Sequence, residues 1–282
     1  MSSPALITAE ALAAGLGAPD LRVVDASWFL PAEGRSGRAE HDLERIPGAV
    51  FFDIDSHSDD SSGLPHMLPS PVTFARAAGR LGLPRTARIV VYDSFGIRSS
   101  ARVWWTLKVM QYPHVQVLDG GLPAWRAAGL VLETGPAPEP APASVAAGFA
   151  GDRVCSLQDV RSALQSGASQ VLDARSAARF RGEAPEPRPG LRAGHMPGAL
   201  NLPFDRLLSP DGRMKPAADL EALFSEAGVD LARPVITTCG SGVTAAVLAL
   251  GLEVLGRPAV LYDGSWAEWG APGGGDVALG GP

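Results

Sequence analysis

The sequence predicts an α/β protein made of two similar domains in tandem, each a parallel sheet flanked by helices. Three observations carry that expectation: short apolar runs alternate with helical patterns, the alternation is stated twice, and a Pro/Ala-rich stretch separates the two statements.

The repeat is the strongest of the three. Val23-Val24-Asp25-Ala26-Ser27 returns as Val171-Leu172-Asp173-Ala174-Arg175, and Ile46-Pro47-Gly48-Ala49 as Met196-Pro197-Gly198-Ala199. Ile89-Val90-Val91-Tyr92-Asp93 returns as Val235-Ile236-Thr237-Thr238-Cys239. Leu118-Asp119-Gly120-Gly121 with Trp125 returns as Tyr262-Asp263-Gly264-Ser265 with Trp269. Four ordered matches at one nearly constant offset are hard to obtain by chance, although V-V-D on its own is a common α/β signal.

Each copy has the parts of a βαβ layer. VLDAR and VITTC are short apolar runs suited to strands buried on both faces. AADLEALFSEAG places Leu220, Leu223 and Phe224 on one helical face and stops at Gly228. TAAVLALGLEVLG is an apolar helix ended by Gly256. The first domain is expected over 1–134, a semi-extended linker over 135–148 and the second domain over 149–282. The 282 residues suffice for two domains of ordinary size.

Composition narrows the function. A net charge of -6 is no basic footprint for nucleic acid. The two cysteines, Cys155 and Cys239, form neither a disulfide framework nor a metal-ligand pattern. A reducing, cytoplasmic location is expected. The N-terminal twenty residues lack a basic leader region and read as a first helix. No apolar run approaches the ~18 residues of a membrane span. Neither a nucleic-acid nor a membrane partner is expected, nor a metal or organic cofactor.

The sharpest chemical feature is Cys239-Gly240-Ser241-Gly242-Val243-Thr244, which follows an apolar strand and opens a helix. Two glycines in such a turn let successive N–H groups point inward as an anion nest. A cysteine there is expected to have a depressed pKa and to act as thiolate. The competing reading is a buried structural cysteine before a glycine turn. At the duplicated position the first half has Asp93, which cannot carry sulfur, so if the fold has a reactive loop only the second copy is chemically competent. Thr244 suits either donation to the sulfur or helix capping, and capping is the simpler role. Cys155 reads as a position just before a helix.

On these motifs the chain resembles the mercaptopyruvate sulfurtransferases of the tandem rhodanese superfamily, from VVDASWFLP to DGSWAEWG. The resemblance implies two rhodanese-like domains and transfer of sulfur from 3-mercaptopyruvate through a Cys239 persulfide to a thiol or other nucleophile, such as a small dithiol protein or cyanide. Loop C-G-S-G-V-T is the mercaptopyruvate signature. The thiosulfate branch usually has basic residues where Gly240 and Ser241 stand here. Arg179-Phe180-Arg181-Gly182-Glu183-Ala184-Pro185-Glu186-Pro187-Arg188 matches the family element whose first and last arginines bind the substrate carboxylate and ketone, here Arg179 and Arg188. Arg181 alternates with Arg179 and is expected to point elsewhere. Phe51-Phe52-Asp53-Ile54-Asp55 and Pro65-His66-Met67-Leu68-Pro69 resemble the elements that supply an aspartate and a histidine to the loop serine. Here the trio is Asp55, His66 and Ser241, placed by the resemblance in a cleft between the halves. Asp53, His57 and Asp59 are nearby decoys. His195 belongs to the structural G-H-x-P-G-A turn. Thiosulfate:cyanide sulfurtransferase and a non-catalytic binding module are the alternatives. A cysteine phosphatase needs arginine six residues after the cysteine, where Ala245 stands.

Overall fold

The computed structural model describes residues 4–281, so the outermost residues of the two expected domains, 1–3 and 282, lie outside the described residues. The chain divides into two compact units, and neither is a contiguous half. The first comprises Met1–Ser58, Pro69–Ala150 and Leu208–Met214; the second comprises Asp59–Leu68, Gly151–Leu207 and Lys215–Pro282.

In the first unit the chain runs through β1 (Leu6–Ile7), α1 (Ala9–Gly15), β2 (Leu21–Asp25), α2 (Gly37–Leu43), β3 (Glu44–Arg45), β4 (Val50–Phe51) and α3 (Pro71–Arg80). It continues through β5 (Arg88–Tyr92), α4 (Ser99–Val109), β6 (Val115–Leu118), α5 (Gly121–Ala127) and β7 (Glu133–Thr134). Five strands form a parallel sheet in the order β1-β6-β5-β2-β4, and β3 pairs antiparallel with β7. The expected first helix is therefore preceded by a two-residue edge strand, too short to show a period. Thr8 between them caps α1, its side chain accepting from the Ala11 N–H at 3.2 Å. Residues 135–148 have no regular structure and run beside α3, where the Ala143 N–H donates to the Gly79 carbonyl at 2.8 Å.

The second unit repeats the pattern with β8 (Val154–Cys155), α6 (Leu157–Ser166), β9 (Gln170–Asp173), α7 (Ala177–Arg181) and β10 (Leu200–Asn201). Then follow α8 (Ala217–Glu226), β11 (Val235–Thr238), α9 (Ala245–Val254), β12 (Val260–Tyr262) and α10 (Ser265–Trp269). Its sheet order, β10-β9-β11-β12-β8, is also parallel and matches the first strand for strand. Val171 and Ile236 pack in the core with Phe180, Met196 and Trp266. The apolar α9 is buried from Ala245 to Leu252, which is why its sequence shows no polar face. Leu220 and Phe224 of α8 are fully buried, and Gly228 ends that segment at φ +82°, as the pattern predicts.

Trp104, Trp105, Trp125, Trp266 and Trp269 are buried. His195 is also structural: its Nδ1 lies 2.9 Å from the Phe180 carbonyl and its ring stacks on Phe180. No helix among the described residues is long and apolar enough to cross a membrane.

Candidate active site

In parallel α/β sheets, ligands meet the loops that leave the carboxyl ends of the strands. The loop from Cys239 to Thr244 leaves β11 there and enters α9. It is held from outside by the turn between β12 and α10. The Trp266 N–H donates to the Cys239 carbonyl at 2.9 Å and the Ala267 N–H to the Gly240 carbonyl at 2.9 Å. The Cys239 N–H reaches Ser265 Oγ at 3.3 Å, and that hydroxyl donates to the Tyr262 carbonyl at 2.9 Å. Ser265 accepts a left-handed backbone, φ +49°, to do so. Cys239, Ser241 and Val243 are buried, Gly242 turns the chain at φ +77°, and Thr244 is half-buried.

The first unit shows what this loop is built to hold. Asp93 occupies the Cys239 position, and five residues separate each from its following helix. Asp93 Oδ1 accepts from the Phe95 N–H at 2.9 Å, and Oδ2 accepts from the Arg98 and Ser100 N–H groups at 2.8 Å each. The aspartate thus fills its own anion nest. In the second unit the counterparts of the Phe95, Arg98 and Ser100 donors are the N–H groups of Ser241, Thr244 and Ala246; the Ala246 N–H donates to the Val243 carbonyl at 3.3 Å, and for the other two no acceptor is found among the described residues. The second loop carries Cys239 where the first carries Asp93.

The capping role weighed for Thr244 is not made: Thr244 is the N-cap of α9, but its backbone is already helical at φ -78° and ψ -16°, and its side chain makes no cap hydrogen bond.

His66 lies on the segment Asp59–Leu68, a short arm that the first half lends to the second unit. The Asp59 N–H donates to the Met67 carbonyl at 2.9 Å, closing the arm. His66 is buried, adopts φ +61°, and brings Nδ1 to 3.0 Å from Ser241 Oγ. A positive φ at a non-glycine residue is strain held by its surroundings. The Ser241–His66 pair therefore sits within the second unit. Asp55 belongs to the first unit, in a turn after β4, where its Oδ2 accepts from Trp28 Nε1 at 2.9 Å. The decoys have local duties. Asp53 Oδ2 accepts from Ser56 Oγ, His57 stacks on Phe52, and Asp59 accepts from the Ser61 N–H.

Arg179 lies in the last turn of α7. Its Nε and Nη2 bind Glu186 at 3.2 and 2.5 Å. An ideal Cβ on Gly240 would lie 2.9 Å from Arg179 Nη2, so the guanidinium abuts the cysteine loop. Glu186 is buried and also accepts from Arg175 Nη1 at 2.8 Å. Arg175 is fixed in turn by Asp173 at 2.7 Å and the Gly194 carbonyl at 2.9 Å, and it lies over the Trp266 ring. Burial works against the Arg175 charge, but Asp173 and Glu186 more than offset it and hold its pKa above the usual value. The result is an alternating chain of charges, Asp173–Arg175–Glu186–Arg179, whose outer member is partly exposed beside Gly240. Arg188 is half-buried in the loop two residues beyond Glu186. Arg181 pairs with Glu183 on the surface and points away, as the alternation predicts.

Sequence reasoning missed Glu186, Arg175, Asp263 and Ser265. Glu186 stood inside the matched P-E-P-R element, and Asp263 and Ser265 inside the repeated D-G-S turn. Cys155 precedes the Ser156-capped helix α6, as read from sequence. Burial, more than the nearby Asp159 and Asp263 carboxylates, pushes its thiol up to about 12.

The Rhodanese-like domain model matches residues 8–128 and again 156–272. The chain is 44% identical to human 3-mercaptopyruvate sulfurtransferase over 95% of its length and 94% of the relative's. It is 40% identical to Thiosulfate/3-mercaptopyruvate sulfurtransferase 1, mitochondrial, of Arabidopsis thaliana, over 95% of this chain and 76% of that one. The crystal structure of SseA from Escherichia coli, described as a 3-mercaptopyruvate sulfotransferase, superposes with a TM-score of 0.85 at 40% identity. That match covers 94% of this chain and 99% of SseA. Duplicated sheets, a second strand-to-helix loop that carries Cys239 where the first carries Asp93, and likeness along nearly the whole chain place this protein in the rhodanese superfamily, among its two-domain 3-mercaptopyruvate sulfurtransferases.

Proposed function

We propose that this chain takes the sulfur of 3-mercaptopyruvate onto Cys239 and passes it to a thiol acceptor. The observation that carries the proposal is the duplicated cradle: Cys239 stands where Asp93 collects backbone donors in the first unit, and the Ser241 and Thr244 N–H groups stand where the Phe95 and Arg98 N–H groups bind that carboxylate.

The donor's carboxylate and ketone are bound by Arg179, held ready by Glu186, and by Arg188. Cys239 Sγ attacks the donor sulfur as thiolate. The carbon–sulfur bond breaks, its electron pair passes to the carbon as pyruvate enolate, and the new S–S bond leaves a persulfide on Cys239. Ser241 Oγ, oriented by His66 Nδ1, stabilises the enolate oxygen or relays the proton that turns it into pyruvate. The N–H groups of Gly240, Ser241, Gly242, Val243 and Thr244 line the persulfide. An acceptor thiolate then attacks the outer sulfur and frees Cys239. Asp55 as the carboxylate that orients His66 remains what the family resemblance implies, and Asp55→Asn tests it. Both cysteines are free, which suits a reducing compartment such as the cytoplasm.

The Arabidopsis relative's name adds thiosulfate as a second donor. Nothing charged stands at Gly240 or Ser241 to hold that dianion, so 3-mercaptopyruvate is the better substrate. The test follows pyruvate release and intact mass with each donor. Fast pyruvate release with one added sulfur, absent in Cys239→Ser, is expected. Preference for thiosulfate would reassign the donor, and no adduct from either donor would leave only a binding module.

A further inference from the structure

One four-residue turn touches both halves of the catalytic apparatus. Asp263 ends β12 and is buried at 4% exposure. Its Oδ2 accepts the Leu68 N–H at 2.7 Å. Leu68 lies two residues beyond His66, on the arm whose strained histidine reaches Ser241. The next residues of the same turn hold the cysteine loop, Ser265 through the Cys239 N–H and Trp266 through the Cys239 carbonyl. The turn is thus a clamp with two jaws, one on the nucleophile's loop and one on the histidine's arm.

The first unit contains the same clamp without the chemistry. Asp119, the counterpart of Asp263, accepts the Met214 N–H through Oδ1 at 2.8 Å. The Leu122 N–H donates to the Asp93 carbonyl at 2.9 Å, as Trp266 does to Cys239. The arm it grips, Leu208–Met214, has no histidine, and the loop it supports holds Asp93. The duplication therefore supplies a matched control inside one molecule.

We propose that Asp263 is a positioning residue for sulfur transfer: by gripping Leu68 it fixes His66 against Ser241 and registers that pair to Cys239. This rests on the sulfurtransferase reading above. A carboxylate is suited to the task because a charge-assisted hydrogen bond is about twice as strong as a neutral one and can hold a backbone at positive φ. Small misplacement of a catalytic group costs up to ~100-fold in rate.

The test compares Asp263→Ala, Asp263→Asn and Asp119→Ala in the full-length protein, with pyruvate release as readout and thermal melting as the measure of folding. Asp263→Ala is expected to lower kcat about 10-fold or more with KM for 3-mercaptopyruvate within about twofold, because Arg179 and Arg188 are untouched. Asp263→Asn keeps an acceptor oxygen and is expected to recover most of the loss. Asp119→Ala is expected to lower the melting temperature comparably and leave kcat unchanged. In a His66→Ala background, Asp263→Ala is expected to cost nothing further in kcat. Should Asp263→Ala not fold, Asp263→Ser, too short to reach Leu68, makes the same comparison. A wild-type kcat in Asp263→Ala or Asp263→Ser, an equal kcat loss in Asp119→Ala, or a full additional loss in the His66→Ala background would overturn the proposal. Failure of the sulfurtransferase reading would show separately, as no pyruvate release from the wild-type protein.

Discussion

At the scale of single residues, Arg179, the proposed substrate ligand, is held by the carboxylate behind it. Glu186 binds Arg179 through both oxygens while sharing one of them with the buried Arg175. Glu186→Gln is expected to raise KM for 3-mercaptopyruvate about 10-fold, with a smaller change in kcat, because the amide has no charge and only one acceptor oxygen, so its NH2 would face an Arg179 or Arg175 donor. The same change is expected to lower stability by about 2–4 kcal/mol, since it leaves buried Arg175 with one counter-charge where it had two. Steady-state kinetics and urea denaturation check the two parts. Gly240→Ala probes the neighbouring contact: the added Cβ meets the flexible tip of Arg179 at 2.9 Å. KM is expected to rise severalfold with little change in melting temperature. The loop cysteine and Arg179 were legible because they stand in motifs with a chemical reason. Glu186 was not, because a glutamate between two prolines reads as a solvated loop until the structure shows Arg175 beneath it.

At the scale of elements, the two strand-to-helix loops are one design used twice. Asp93 neutralises the first cradle with three backbone donors, and its carboxylate is fully buried. Asp93→Ala leaves those donors without their acceptor and is expected to cost about 2–4 kcal/mol in a denaturant melt while leaving kcat unchanged. An equal loss of activity would mean that the first loop serves the chemistry directly. Strands β9 and β11 and helices α8 and α9 were legible from period and composition, since each is decided by burial of a local pattern. The arm Asp59–Leu68 was not legible as part of the second unit. Its residues run from a polar Asp/Ser/Gly stretch into Leu64-Pro65-His66-Met67-Leu68 without a period, and membership of a fold by contact leaves no mark on local sequence. The two-residue strand β1 escaped for a related reason, since its pairing with β6 is a long-range event.

At the scale of the whole molecule, several protonated groups are buried where ionisation is disfavoured. Burial, before any charge effect, raises the Tyr92, Tyr112 and Tyr262 phenols, and it lifts the Cys155 thiol to about 12. For acids whose folded pKa exceeds the unfolded value, the unfolded chain loses protons first as pH rises. Their contribution is whole below the unfolded pKa and lost between that value and the folded one. Stability is therefore expected to be flat near neutrality and to fall above about pH 9, by on the order of 1–2 kcal/mol per group by pH 10.5. Urea midpoints at pH 8 and 10.5 measure the fall, and Cys155→Ala is expected to shallow it. An unchanged midpoint would mean that these groups ionise freely in the folded protein.

The exchanged segments also bear on how the protein comes into being. The first unit is completed by Leu208–Met214, which the ribosome adds long after the rest of that unit, and the second unit uses an arm translated before any of its strands. A nascent chain released at the Pro/Ala-rich connection would carry a histidine arm with no sheet to join and a first sheet lacking its last piece. The halves of this gene product are thus bound to mature together, and separating them by truncation or gene fission would part His66 from Ser241.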